Sequence, residues 1–231
     1  MNLDVLFVSD MNRLLTICFY AVSAFLIGSV GWVVLLRFVP VTYTPLMTVR
    51  QVESVRQGTR LDLKHRWVSL DRVSPALISA VIASEDAHFY EHNGFSEEGI
   101  RRALKEHREG GVRHGGSTIS QQTAKNVFCL PHRTMARKVL EAYYTLLIEL
   151  LWGKDRILEV YLNVAEMGDG VFGVEAAANR FFGCRANLLT KEQSALLAAC
   201  LPNPRVYQVT CPSDYVRSRQ QTILLRTCCA R

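Results

Sequence analysis

Two segments, EDAHFYEHNG at residues 85–94 and GGSTISQQTAKN at residues 115–126, decide how the chain folds. The first places the acidic pair Glu85 and Asp86 at the end of an apolar helical stripe and then turns at Gly94. The second places a glycine-rich turn directly before a helix that carries polar and cationic side chains, an arrangement suited to binding anions. Together they predict a mainly α-helical domain in which a carboxylate faces a phosphate-binding site.

Glu85 continues the apolar face of its helix, because it follows Ile78 and Ile82 at helical spacing. Burying a carboxylate is costly unless the charge has a use. The alternative is a helix-terminal acidic pair that caps the helix or faces solvent. Phe89, one turn further on, and the turn at Gly94 favour a carboxylate held in a cleft, with a raised pKa, as a general base.

The second segment supplies a candidate anion site. Gly115 and Gly116 let the backbone approach an anion closely, and the helix that follows presents unpaired N–H groups. Ser117, Gln121 and Lys125 are four residues apart, so in a helix they would share one face about 12 Å long, enough to follow a sugar diphosphate. Taken alone, such a turn is more often an ordinary loop, and a single helical lysine is usually solvated.

A basic cluster follows in the next predicted helix. Arg133 precedes Arg137, Lys138 and Glu141. Arg137 and Glu141 are four residues apart, so a surface salt bridge worth a few tenths of a kcal/mol is the alternative reading of this pair. Beyond it, KDRILEVYLN at 154–163 and GVFGVEAAA at 170–178 would, by themselves, be packing helices.

The N-terminal part contains a long uncharged segment. Residues 14–36 carry no charged side chain and exceed the roughly 20 residues that a helix needs to cross a bilayer. We interpret them as an uncleaved signal anchor. A cleaved signal peptide is the alternative, but its apolar region typically has about 7–15 residues, and no small-x-small cleavage motif follows Leu36 before Pro40.

The expected organisation has four parts: a short cytoplasmic tail (1–13), a transmembrane anchor (14–36), a juxtamembrane connector (37–66) and one catalytic domain (67–231). Charges that flank the anchor orient it only weakly, but a short tail before a signal anchor usually stays cytoplasmic. From the end of the anchor to about residue 73, no long helical pattern of apolar residues is expected, because Pro40, Pro45 and Gly58 interrupt it. The helices expected after that begin at Ser74 and Ser96 and cover 117–128, 134–151, 155–163, 171–182, 190–201 and 214–227.

Composition points to an anionic partner. The net charge is +6 and the sequence pI is about 9.0. Nucleic acid is the generic candidate, but the chain has a membrane span, no nucleic-acid motif and dispersed basic residues. Anionic lipid head groups or a diphosphate-bearing lipid fit better, and no nucleic acid is expected. The seven cysteines form no CxxC pair, so we expect mostly buried thiols.

Five ordered segments carry a resemblance to a known family. Residues 85–94, 115–126, 137–141 (Arg-Lys-x-x-Glu), 154–163 and 170–182 are similar, in order and spacing, to the five motifs of the peptidoglycan glycosyltransferases, glycosyltransferase family 51. The chain resembles the monofunctional members, because it has neither Ser-x-x-Lys nor Lys-Thr-Gly, the transpeptidase motifs of bifunctional penicillin-binding proteins. It departs from the family pattern at His88, where Arg or Lys is usual, and at Cys184, where Lys is common.

The resemblance implies a lysozyme-like fold and a reaction. The 4-hydroxyl of an acceptor N-acetylglucosamine attacks C1 of the donor N-acetylmuramic acid of lipid II, inverts it to a β-1,4 link and expels undecaprenyl diphosphate. Glu85 is then the general base, and Glu141 is a second acidic group that positions the reactants. The implied substrate-binding residues are Lys125 and Arg133, at the diphosphate, and Arg102, Ser117, Gln121, Gln122 and Asp86.

A phosphorylated leaving group needs cations rather than a general acid. One general base and a group of basic side chains around the diphosphate therefore suffice for the reaction. No cofactor is required; Mg²⁺ is compatible with a diphosphate, but no carboxylate cluster demands it. The implied partners are lipid II, a lipid-linked glycan strand and the membrane, and the implied location is the periplasmic side of the cytoplasmic membrane. Whether division or elongation proteins are also partners does not follow from the resemblance. The alternatives are a membrane-anchored lytic transglycosylase or lysozyme-like hydrolase and a non-catalytic wall-binding scaffold.

Overall fold

The computed structural model describes residues 3–97, 101, 116–132 and 134–229. The chain divides into two compact units, Met1–Val39 and Pro40–Arg231. Helix α1 (Leu3–Phe38) forms the first unit, and its part from Asn12 to Phe38, with a mean hydropathy of 2.1, is long and apolar enough to cross a membrane. Thr16 and Ser29 donate their hydroxyl protons to carbonyls of the preceding turn, so the apolar segment satisfies these polar groups internally.

The second unit is mainly helical, as the sequence predicts. Its helices are α2 (Pro45–Arg56), α3 (Pro75–Glu85), α4 (Ile119–Phe128), α5 (Met135–Leu151), α6 (Lys154–Val164), α7 (Val174–Phe182), α8 (Lys191–Cys200) and α9 (Asp214–Cys229). Short 3₁₀ turns lie at Leu70–Arg72 and Ala186–Leu188. The predicted capping box at the start of α8 is confirmed: the Thr190 hydroxyl accepts from the Gln193 N–H and the Gln193 side chain accepts from the Thr190 N–H. The helix expected at Ser96 lies largely outside the described residues.

Helix α2 was not expected from the sequence. Pro45 does not interrupt a helix there but begins one, because proline at the first helical position lacks only an N–H that would have no helical partner. The Thr44 hydroxyl accepts from the Met47 N–H at 3.4 Å and caps the same end. Arg50 then joins α2 to the small sheet by donating twice to Glu166 Oε2, at 2.9 and 3.1 Å.

A small sheet of three short strands replaces part of a predicted helix. Strands β1 (Lys64–His65), β2 (Glu166–Gly168) and β3 (Val171–Phe172) lie in the order β1-β3-β2, with β1 parallel and β2 antiparallel to β3. The helix expected from Val171 therefore begins only at Val174. Gly173 separates strand from helix with a φ of +80°, and a Cβ there would lie 2.6 Å from the Asn163 carbonyl oxygen, so the turn requires glycine.

The core is centred on α6, whose side chains Ile157, Leu158 and Leu162 are fully buried. Helix α4 packs against α5 and α6, and α3 packs against α8 and α9. Asp86, directly after α3, accepts from the first backbone N–H of α4. The end of α3 therefore meets the start of α4, and this junction holds the acidic pair of the first sequence segment.

Candidate active site

Glu85 is the last residue of α3, and its side chain is only 11% exposed. The Gln122 amide Nε2 donates to Glu85 Oε2 at 2.9 Å. On the other side, the Ser84 hydroxyl lies 3.3 Å from Glu85 Oε1 and an Arg219 guanidinium nitrogen lies 3.7 Å from the same oxygen. Each carboxylate oxygen thus has its own partner, and the expectation of a carboxylate on the core-facing side of the helix is confirmed.

The environment of Glu85 shifts its acidity. Burial raises the pKa of the Glu85 carboxyl above its ordinary value, while Gln122, Arg219, Ser84 and Lys125 act in the opposite direction and partly offset it. Desolvation is the largest cause because a buried carboxylate loses its hydration. The result is a carboxylate that takes up a proton more readily than an exposed glutamate does.

Gln122 links this carboxylate to the core. Its Oε1 accepts from the hydroxyl of Tyr161 at 3.4 Å while its Nε2 donates to Glu85. Tyr161 is fully buried in α6, and burial together with the negative charges of Glu85 and Asp86 raises the pKa of its hydroxyl well above the ordinary value. The Tyr161 hydroxyl donates to the amide oxygen and Glu85 accepts from the amide nitrogen, so the two contacts together fix the orientation of the Gln122 amide.

Asp86 has internal partners for both carboxylate oxygens. His92 Nε2 lies 2.9 and 3.0 Å from the two oxygens, and the backbone N–H of Ile119 donates to Asp86 Oδ2 at 3.0 Å. Asp86 therefore attaches the start of α4 to the end of α3. The substrate-binding role expected for Asp86 is untested, but its contacts are those of a residue that holds two helices together.

The expectation that Ser117, Gln121 and Lys125 share one helical face is wrong. Helix α4 begins at Ile119, so Ser117 precedes it. Gln121 closes a capping box: its Oε1 accepts from the Thr118 N–H at 3.0 Å, and the Thr118 hydroxyl accepts from the Gln121 N–H at 3.1 Å. The Gln121 side chain is thus committed to the buried helix end. The box lies one residue after the helix start that the sequence predicts, because Thr118 is the N-cap and not part of the helix.

The turn that follows Asp86 is held by several further contacts. The Thr118 hydroxyl donates to the Gly94 carbonyl at 2.6 Å. Lys154, at the start of α6, donates to the His92 carbonyl at 2.6 Å and to Glu149 Oε1 at 2.8 Å, and its ammonium lies 4.7 Å from the centre of the Phe89 ring. The segment after Glu85 is therefore fixed against α4 and α6, which holds the carboxylate in place.

Lys125 lies one turn beyond Gln121 and Gln122 on α4 and is half-buried. Burial lowers the pKa of its ammonium below the ordinary value; the charges of Glu141 and Glu85 oppose this shift, and those of Arg137 and Lys138 add to it. Within the described part of the chain, no ion pair joins the Lys125 ammonium to another side chain. Lys125 is therefore a partly desolvated cation that lies between two acidic groups.

Glu141 is the most deeply buried acidic group of this region, with a side-chain exposure of 3%. Arg137 and Lys138 each place a cationic nitrogen 2.5 Å from a different Glu141 oxygen. The predicted pair of Arg137 and Glu141 is confirmed, but it is not an exposed salt bridge, since Glu141 is enclosed. The carboxylate gathers two cations close to Lys125 and so builds a basic cluster on α4 and α5.

Arg102 and Arg133 lie outside the described residues. His88, which departs from the family pattern, lies at the surface, where its Nδ1 is 2.8 Å from Glu91 Oε2. Among the side chains that the structure describes, no three His, Cys, Asp or Glu groups cluster as metal ligands. Sequence reasoning missed Ser84 and Arg219, because neither belongs to a motif; Tyr161 lies inside the fourth motif, but nothing in its spacing indicated a contact with Gln122.

Comparison with known proteins identifies the family. The family described as Transglycosylase matches residues 52–227. The chain is 49% identical over 206 residues to a biosynthetic peptidoglycan transglycosylase of Bdellovibrio bacteriovorus, covering 89% of this chain and 82% of that protein. Proteins of the same name in Caulobacter vibrioides and Escherichia coli are each 52% identical to this chain. The match covers 85% of this chain and 83% of the Caulobacter vibrioides protein, and 84% of this chain and 81% of the Escherichia coli protein.

These matches confirm the predicted lysozyme-like fold class and the predicted enzyme class, a glycosyltransferase of peptidoglycan synthesis rather than a hydrolase or a scaffold. They extend from α2 almost to the end of α9 and include the elements that hold Glu85, Gln122, Lys125 and Glu141. This chain belongs to the transglycosylase family.

Proposed function

We propose that the enzyme polymerises lipid II into β-1,4-linked glycan strands, with Glu85 as general base and Lys125 as a cation for the diphosphate leaving group. The observation that carries this proposal is the pairing of two oppositely perturbed groups. Burial raises the pKa of the Glu85 carboxyl and lowers that of the Lys125 ammonium, and each group interacts electrostatically with the other. Such paired shifts are typical of sites that transfer protons and stabilise charge.

The chemistry follows from these two groups. Glu85 accepts the proton of the acceptor's 4-hydroxyl as that oxygen forms a bond to C1 of the donor sugar. The bond from C1 to the diphosphate oxygen breaks on the opposite face, so the anomeric configuration inverts and the electron pair leaves with undecaprenyl diphosphate. Lys125 stabilises the negative charge that develops on the leaving group. Gln122 orients Glu85 for the proton transfer.

Other residues extend the proposed donor site. Arg133, like Lys125, would stabilise the diphosphate, and Arg102 and Ser117 would bind the donor; these three roles rest on the motif resemblance alone. Glu141 acts indirectly, because it holds Arg137 and Lys138 beside Lys125 and so keeps the local potential positive. Gln121 and Asp86 support the site by fixing the start of α4.

One feature of the site is shared with enzymes that cleave glycans. A single buried glutamate with a raised pKa is also what a glycan-cleaving enzyme uses as its general acid. The basic cluster decides between the two, because a sugar hydroxyl leaving group needs a proton and has no use for cations, whereas a diphosphate needs cations and no proton. Lys125, Arg137 and Lys138 therefore support synthesis over cleavage.

The substrate also implies a location. An apolar helix of the length of Asn12–Phe38 fits a single-pass membrane anchor. We infer that the catalytic domain lies on the periplasmic side of the cytoplasmic membrane, where it would meet lipid-linked donors and growing strands. A reporter fused to the C-terminus should be active only outside the cytoplasm, and activity of that reporter inside the cytoplasm would overturn this topology.

The decisive experiment uses purified full-length protein and lipid II. Glu85→Gln should bind lipid II yet lose about 10²–10⁴-fold in polymerisation rate, because it lacks the base. Lys125→Ala and Arg133→Ala should each lose about 10²–10³-fold, whereas Lys191→Ala, which removes an exposed lysine at the start of α8, should match the wild type. Normal polymerisation by the Lys125 and Arg133 variants would show that these cations do not stabilise the leaving group, and release of fragments from purified sacculi by the wild type would favour the hydrolase.

A further inference from the structure

Arg219 reaches the candidate active site from the far end of the chain. It lies in the middle of α9, separated by more than 130 residues from the acidic pair, and its side chain is only 25% exposed. One guanidinium nitrogen, Nη2, donates to the Ser84 hydroxyl at 3.0 Å and lies 3.7 Å from Glu85 Oε1. The sequence motifs gave no reason to connect this residue with the site.

We propose that Arg219 is a positioning residue that, through Ser84, fixes the orientation of the Glu85 carboxylate and places a permanent positive charge behind it. The proposal rests on the proposed function of Glu85 as general base. Arg219 acts on the oxygen Oε1, while Gln122 acts on Oε2, so the two residues hold the carboxylate from opposite sides. Neither contact requires substrate, and both are present in the free enzyme.

The local hydrogen bonds form a short chain. Arg219 donates to the oxygen of the Ser84 hydroxyl, which leaves the Ser84 proton to point either at Glu85 Oε1, at 3.3 Å, or at the Ala198 carbonyl in α8, at 3.4 Å. A hydroxyl that accepts from a cation is a better donor, because hydrogen bonds in a chain polarise one another. Ser84 therefore relays the effect of Arg219 to the carboxylate.

A purely structural role explains Arg219 poorly. Its Nε is buried and, among the described residues, has no hydrogen-bond partner, a cost that a residue kept only for stability would not need to bear. Arg226, two turns further along α9, offers a comparison: its guanidinium donates to the Ala83 carbonyl at 3.3 Å and so joins the same two helices without a contact to Glu85. Of these two arginines, Arg219 is the one that places its charge at the base.

Other titratable groups near Glu85 do not replace this charge. Among the described residues they are Asp86 beside it, Lys125 on α4 and Tyr161 on α6, while Cys200 on α8 and Tyr207 interact with Arg219. Tyr161 and Cys200 carry no charge near pH 7, since burial raises the pKa of the Cys200 thiol to about 11 and that of the Tyr161 hydroxyl well above its ordinary value. Asp86 is acidic, and Lys125 has a weaker effect on Glu85 than Arg219 has.

The test compares pH profiles of kcat for lipid II polymerisation in the full-length wild type, Arg219→Ala, Arg219→Lys and the control Arg226→Ala. Loss of the cation should favour protonation of Glu85, so the acid limb of the Arg219→Ala profile should move to higher pH. On that limb kcat should fall about tenfold or more, with KM nearly unchanged. Arg219→Lys, which retains the charge, should restore most of the rate, and Arg226→Ala should keep the wild-type profile.

Two outcomes would overturn the proposal. In the first, Glu85→Gln is inactive but the acid limb of the Arg219→Ala profile coincides with that of the wild type. Glu85 would then still be the general base, and Arg219 would not act on it. The other is an active Glu85→Gln, which would remove the proposed base itself and everything that depends on it. Arg219→Gln, which keeps the size and polarity of the side chain, replaces Arg219→Ala if the alanine variant does not fold, and it should show the same shift.

Discussion

The Gln122 amide nitrogen lies 2.9 Å from Oε2 of Glu85, on a helix that the chain reaches more than 30 residues later. This contact places a neutral donor, rather than a second charge, on one side of the carboxylate. Burial raises the pKa of the Glu85 carboxyl, and this hydrogen bond, which also orients the carboxylate, lowers it and partly offsets that effect. The amide itself is oriented by the buried hydroxyl of Tyr161.

The first prediction concerns that hydroxyl. Tyr161→Phe removes the donor to Gln122 Oε1, so the Gln122 amide loses one of its two hydrogen-bond partners and holds Glu85 less rigidly. We expect kcat for lipid II polymerisation to fall about fivefold, the equivalent of one hydrogen bond of about 1 kcal/mol. Tyr90→Phe removes an exposed hydroxyl that contacts only Asp155 at 3.3 Å and should leave kcat unchanged. Equal rates in both variants would show that the Tyr161 hydroxyl does not orient Gln122.

The second prediction concerns the pH profile of the wild type. Glu85 acts only when ionised and burial raises the pKa of its carboxyl, so the rate should fall on acidification at a higher pH than an exposed glutamate would require. Lys125 acts only when protonated and burial lowers its pKa, so the rate should also fall on the alkaline side before an ordinary lysine titrates. Lys125→Arg, whose charge persists, should move only the alkaline limb, to higher pH. An active Lys125→Arg with an unmoved alkaline limb would assign that limb to another group.

The third prediction separates support from substrate binding at Asp86. Asp86→Ala leaves the buried N–H of Ile119 and the His92 side chain without their acceptor, so the free energy of unfolding should fall by about 2 kcal/mol or more. Asp71→Ala, at an exposed position, should change it by less than about 0.5 kcal/mol. Denaturant unfolding of the catalytic domain measures both. If Asp86→Ala is fully stable yet raises KM for lipid II, Asp86 binds substrate as the motif resemblance implied.

The fourth prediction tests the turn that separates β3 from α7. Gly173→Ala combines a φ of +80° with a Cβ only 2.6 Å from the Asn163 carbonyl oxygen, so we expect a loss of about 2 kcal/mol or more in the free energy of unfolding. Gly183→Ala is the matched control, because its φ is +64° but no atom lies within 4 Å of the added Cβ. That variant should lose only about 1 kcal/mol. Equal losses would mean that the backbone conformation alone, not the close approach, requires glycine at position 173.

Much of the fold follows from local sequence. Pro75 begins α3 and the capping box at Thr190 begins α8 where the sequence predicts, although the Ser74 hydroxyl does not cap α3 but donates to the Leu189 carbonyl at 3.0 Å. The same local rules failed at Pro45 and Val171. Pro45 was read as a breaker although it can begin a helix, and Val171 pairs with Lys64, a partner more than 100 residues away that no local pattern contains.

The sequence by itself determined which groups are available: an acidic residue at the end of an apolar helix, a glycine turn, and the spacing of Arg137 and Glu141 along one helix. Side chains on one helix meet at fixed intervals, so such pairs are readable from the order of residues. Only the tertiary structure decided which groups meet across helices. It brought Gln122 and Arg219 to opposite oxygens of Glu85, because contacts between α3 and residues of α4 and α9 fix those distances and residue order does not.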